Sequence, residues 1–86
     1  MSLGTGILRN NMREKIILIT GSNGEIGQEL IKKLSTISEM KIVALDLHRP
    51  VDEISDLLYE HVIGNILDKN LLEQIGSTYE IYEIYH

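Results

Sequence analysis

The feature that most constrains this chain is three glycines at fixed spacing, Gly21, Gly24 and Gly27, set between a β-branched run and an amphipathic one. Upstream, Lys15-Ile-Ile-Leu-Ile-Thr20 is bounded by charge before and glycine after, the pattern of a strand buried on both faces. Downstream, Ile26, Leu30, Leu34 and Ile37 recur at helical spacing against polar Gln28, Glu29, Lys32 and Lys33, which predicts an amphipathic helix with those four residues turned inward. In the loop between them, Gly21 permits a tight turn, Gly24 lets a phosphate approach the backbone, and Gly27 lets the helix lie close to the sheet. The first N–H groups of the helix have no partner within it, and the helix dipole favours negative charge in front of them. The loop therefore reads as an anion cradle.

The rest of the chain repeats the alternation. Lys41-Ile-Val-Ala-Leu-Asp46 has the character of the first strand and ends on an acid, and His48-Arg49-Pro50 breaks the extended run. Between Val51 and Leu58, apolar Ile54, Leu57 and Leu58 stand among acids and predict a short helix or helical turn as the crossover. His61-Val-Ile-Gly64 reads as a third strand. Asp68 takes the N-cap position of a helix carrying Leu71, Leu72 and Ile75, with Gly76 as its stop. Glu80 to His86 is rich in β-formers and gives a fourth strand. Strands separated by helical connections predict one α/β domain with a parallel sheet, right-handed crossovers and strand order 3-2-1-4.

Composition narrows the chemistry. A chain of 86 residues buries only about 60% of its unfolded surface, and with no Phe or Trp its core must be built from Ile, Leu and Val. The absence of cysteine excludes disulfides, thiolate metal sites and cysteine nucleophiles, in keeping with a reducing, cytoplasmic setting. A net charge of −5 with eight scattered basic residues would repel a nucleic-acid backbone. No apolar run approaches the roughly 20 residues of a membrane span, so neither nucleic acid nor membrane is an expected partner. Met1 to Asn11 shows no strand or helix period and reads as an appended tag or irregular extension, with Met12 as the natural start and the domain running from 12 to 86.

Two features decide which phosphate ligand suits the loop. A P-loop needs lysine and a hydroxyl after its last glycine, where this chain has Gln28 and Glu29. Asp46 instead ends the second strand about 20 residues beyond the loop, the place from which a carboxylate accepts hydrogen bonds from both hydroxyls of an adenosine ribose. A 2′-phosphate there would meet like charge, which favours NAD over NADP. Arg49, three residues on, is the one group placed to pair such a phosphate.

The chain from Lys15 to His86 resembles the extended short-chain dehydrogenases, which include NAD-dependent epimerases and dehydratases acting on nucleotide sugars. The marks are the Thr-Gly-x-x-Gly-x-x-Gly spacing of Thr20 to Gly27, the strand-end Asp46, and Gly64-Asn-Ile-Leu-Asp68, which looks like the family's Gly-Asp-x-x-Asp element. Tyr85-His86 resembles the opening of its fourth-strand motif. The resemblance implies a Rossmann-type sheet cut short after its fourth strand. It also implies a cofactor-binding set in which Gly21, Asn23, Gly24 and Gly27 form the loop, Glu25 and Ile26 line the pyrophosphate, Asp46 and Leu47 hold the ribose, and Asn65 and Ile66 flank the adenine. Asn65 stands where the family has aspartate, so an amide oxygen would accept the adenine amino hydrogen.

The family's chemistry uses a Tyr-x-x-x-Lys pair, in which lysine lowers the tyrosine pKa so that the phenolate acts as base. None of the four tyrosines has lysine four residues later, and His48, His61 and His86 lack metal-ligand spacing and read as structural or solvated. No catalytic or metal-binding set is expected in this chain. The expected function is the NAD-binding beginning of an epimerase, dehydratase or dehydrogenase. The alternatives are a non-catalytic cofactor-sensing regulator and a free-standing interaction domain. A sheet ending at the fourth strand would leave Ile81, Tyr82, Ile84 and Tyr85 on an unpaired edge and predicts either self-association through residues 80–86 or a poorly ordered fourth strand.

Overall fold

A computed structural model describes residues 13–21 and 24–86. Asn23 and the amino-terminal extension with Met12 lie outside the described residues. The elements run β1 (Glu14–Thr20), α1 (Glu25–Ile37), β2 (Lys41–Asp46), α2 (Asp52–Ser55), β3 (Glu60–Ile63), α3 (Lys69–Thr78) and β4 (Tyr79–Tyr85). All strand pairs are parallel and the order is β3-β2-β1-β4, a Rossmann-like sheet.

The apolar runs of β1 and β2 are buried on both faces because successive side chains of a strand point to opposite sides. Ile16, Leu18, Val43 and Leu45 face one way and form a core with Ile75 and Tyr79, the former from α3. Ile17, Ile19 and Ile42 face the other and pack with Ile31, Leu34 and Ile54 from α1 and α2. Each fully buried aliphatic side chain contributes about 1.5–3 kcal/mol, so two rows of them stand in for the missing large aromatics.

The inward face of α1 differs from the expected one. Ile31 is wholly buried and Leu34 nearly so, whereas Ile26 and Ile37 are 85% and 70% exposed. Gly27, Leu30, Ile31 and Leu34 make the buried stripe, at the i, i+3, i+4, i+7 spacing of a helix lying on a sheet. Turning this stripe inward leaves Ile26 at the rim of the sheet and Ile37 beyond it.

Gly76 does not stop α3, which continues to Thr78 and is capped at Tyr79. Among the described glycines only Gly21 has positive φ, so Gly76 lacks the left-handed conformation of a glycine stop. The hydroxyls of Ser77 and Thr78 donate back to the Glu73 and Gln74 carbonyls and carry the last turn into β4. Asp68 caps the other end as expected, its Oδ1 accepting from the Leu71 N–H at 3.2 Å.

β4 carries a register shift against β1. Ile16 pairs with Ile81, but Ile17 pairs with Glu83, leaving Tyr82 as an extra residue. One extra residue reverses which face the following side chains meet. Tyr79 and Ile81 therefore join the core under α3, while Tyr85 packs on the core under α1. Of the four residues expected on an open edge, Ile81 and Tyr85 are partly buried, and only Tyr82 and Ile84 are mostly exposed.

A polar cluster ties the strands together at their amino ends. The Tyr79 hydroxyl donates to Glu60, its ring meets Tyr59 edge-on at 6.1 Å, and Lys41 lies 5.3 Å over the Tyr59 ring and 3.6 Å from Glu14. No helix among the described residues is long and apolar enough to cross a membrane.

Candidate functional site

The carboxyl ends of the strands are drawn into one row by hydrogen bonds that run past the strands themselves. The Gly21 N–H donates to the Leu45 carbonyl at 3.0 Å, and the Gly64 N–H donates to the Asp46 carbonyl at 2.9 Å. These bonds fix the glycine loop, the strand-end acid and the Gly64-Asn65 corner side by side, although Gly64 lies 43 positions beyond Gly21 in sequence.

The glycines in this row sit in different surroundings. Gly21 has φ 67°, the left-handed region that L residues avoid. Gly24 has the extended conformation of an N-cap, φ −74° and ψ 164°, and accepts the Gln28 N–H at 3.0 Å. A side chain at Gly64 would run into the Leu71 methyl. Gly27 is half-buried on the inward stripe of α1.

The two long helices differ at their starts. The Asp68 carboxylate caps α3, whereas the N-cap of α1 is Gly24, which makes no side-chain cap bond. Among the described residues, no side chain accepts from the first N–H groups of α1, the kind of helix start at which phosphate can bind. Glu25, the acid of the first turn, is exposed.

Two clefts meet at this rim. One, of about 310 Å³, is lined by Asp46, Leu47, Asn65 and Ile66 together with Gly64 and Leu45. The other, of about 460 Å³, is lined by Gly24, Glu25, Ile26 and Gly27 with Ile19 and Leu30. Thr20, Gly21 and His86 border both. The described residues of the expected set thus line these two adjoining clefts, with Gly21 common to both.

Local hydrogen bonds hold the polar members. Asp46 Oδ1 accepts the His48 N–H at 3.2 Å, which fixes the carboxylate at the strand end. Asn65 Oδ1 accepts the Leu67 N–H at 2.8 Å, so the amide oxygen expected to face adenine already serves its own turn and has one lone pair left. Ile66 packs against the core under α3 as well as lining the cleft, while Leu47 is 59% exposed.

Sequence reasoning missed Thr20, Gly64 and His86 as lining residues. The signal for His86 was present, since in a parallel sheet the residue after each strand reaches the same rim. The pairing of Ile19 with Tyr85 puts His86 level with Thr20. No cluster of metal-ligating side chains occurs among the described residues.

No family model matches the chain. Over 96 aligned positions that cover all of it, the chain is 24% identical to the "Probable polysaccharide biosynthesis protein EpsC" of Bacillus subtilis (strain 168). It is 22% identical over the same length to the capsular polysaccharide biosynthesis protein CapD of Staphylococcus aureus. The chain spans 16% of the length of each of these curated relatives.

Proposed function

We propose that this chain is the nucleotide-binding portion of an NAD-dependent enzyme of the extended short-chain dehydrogenase family, of the epimerase, dehydratase or dehydrogenase type. The observation that carries the reading is the start of α1, without a side-chain cap among the described residues and opened by Gly21 and Gly24 onto a cleft that adjoins the Asp46 and Asn65 rim. The α1 N–H groups would take the pyrophosphate, Asp46 the ribose hydroxyls, and Leu47 and Ile66 the faces of the adenine. Asn65 would use its remaining lone pair toward the adenine amino group. The cleft of about 310 Å³ suits the adenosine of such a ligand, and the adjoining one of about 460 Å³ its pyrophosphate. The carboxylate of Asp46 at the ribose position favours NAD over NADP. The names of the two relatives point to polysaccharide biosynthesis, and a nucleotide sugar is the substrate class that joins this setting to the family's chemistry.

The test is a fluorescence titration of the purified protein with NADH and NADPH. NADH is expected to bind, and NADPH more weakly. The variant Gly24→Ser supplies the missing helix cap, so it is expected to keep or raise thermal stability while weakening NADH at least about tenfold, because the serine oxygen takes N–H groups that the pyrophosphate needs. A Gly24→Ser protein that binds NADH as the unaltered one does would defeat the proposal.

A further inference from the structure

The ring of His86 lies where the two clefts meet, and its hydrogen bonding determines what it can offer a ligand. Thr20 is 7% exposed, and its Oγ1 donates to the Tyr85 carbonyl at 3.3 Å while standing 3.1 Å from His86 Nδ1. A hydroxyl has one hydrogen, and a carbonyl can only accept. Thr20 therefore gives its hydrogen to Tyr85 and has only a lone pair for the ring. With the Thr20 hydrogen on the Tyr85 carbonyl, the 3.1 Å contact is a hydrogen bond only in the Nδ1–H tautomer of the neutral imidazole, which leaves Nε2 as an acceptor.

We infer that His86 is a ligand-reading residue whose tautomer is set by Thr20, and that its Nε2 accepts a hydrogen bond from a hydroxyl of the bound dinucleotide rather than contacting a phosphate. The chemistry selects the partner. A phosphate oxygen brings a lone pair to a lone pair, whereas a ribose hydroxyl brings the hydrogen that Nε2 lacks. The assignment rests on the dinucleotide reading of the site and adds to it a hydroxyl contact at the junction between the phosphate cradle and the Asp46 rim. Thr20 is then a positioning residue, acting on the ligand through the ring.

The experiment has two arms. Proton–nitrogen correlation spectra of the histidine rings, recorded without ligand above the pH at which the rings are protonated, report the tautomer directly. The Nδ1–H form is expected for His86 in the unaltered protein and in Thr20→Ser, and its loss is expected in Thr20→Val. An Nε2–H form in the unaltered protein overturns the assignment. In the second arm, NADH affinity is measured for Thr20→Ser, Thr20→Val and His86→Phe, the last keeping a flat ring without nitrogen. Loss of one hydrogen bond predicts a weakening of about five- to tenfold in His86→Phe and Thr20→Val, with Thr20→Ser within about twofold of the unaltered protein. Because the two sites act as a unit, Thr20→Val combined with His86→Phe is expected to bind no more weakly than the worse single variant. If the unaltered protein binds NADH and neither single variant weakens it, the His86 assignment is wrong and the dinucleotide reading stands. If the unaltered protein fails to bind, both fall.

Discussion

Replacing Gly21 by alanine isolates the backbone requirement on which the loop depends. The left-handed conformation at φ 67° costs an L residue about 1–2 kcal/mol, and a methyl group built there has no atom within 4 Å, so no steric clash is added. Alanine also stiffens the unfolded chain, which returns about 0.4–1 kcal/mol. The two terms leave a net loss of about 1 kcal/mol, or about 4–8 °C in melting temperature for a domain of this size. Thermal unfolding followed by far-ultraviolet circular dichroism, without nucleotide and at one protein concentration, measures it. Gly21→Asn sharpens the test, since asparagine visits the left-handed region more readily than alanine and should lose less. A Gly21→Ala protein that melts with the unaltered one, or an asparagine variant less stable than the alanine variant, would refute the left-handed turn as the reason for glycine at this position.

Two further outcomes follow from the structure. Burial first, and then the hydrogen bond to Glu60 and its charge, push the Tyr79 phenol up to about 12 from its ordinary 10.0. Its neutral form is thus favoured in the folded state, and its contribution is present in full below pH 10 and lost as the pH rises through 12; the difference in urea stability between the unaltered protein and Tyr79→Phe, about 0.5–1.5 kcal/mol at pH 8, should shrink by pH 11. Asp68→Ala removes the α3 cap and is expected to cost about 1 kcal/mol in the same assay, with Asp68→Asn recovering most of it.

Much of the fold was legible because its signals are local. The β-branched runs marked β1 and β2, the glycine spacing marked the turn into α1, and Asp68 marked the start of α3. The expected inward face of α1 was wrong at Ile26 and Ile37 because an apolar residue near a helix end keeps the period even where no sheet lies beneath it. Gly76 misled for a related reason, since glycine stops a helix only when its backbone turns left-handed.

The candidate site divides in the same way. Sequence by itself singled out the glycines of the loop, Asp46 and the Asn65 corner as candidates, because residue type and position relative to a strand end are local features. Tertiary structure alone decided how they meet. The bonds from Gly21 to Leu45 and from Gly64 to Asp46 set the row, the Leu67 N–H claimed the Asn65 oxygen, and the pairing of β4 beside β1 carried His86 to Thr20. These outcomes depend on the register between strands distant in sequence and on competition for each polar atom, and no run of adjacent residues encodes either.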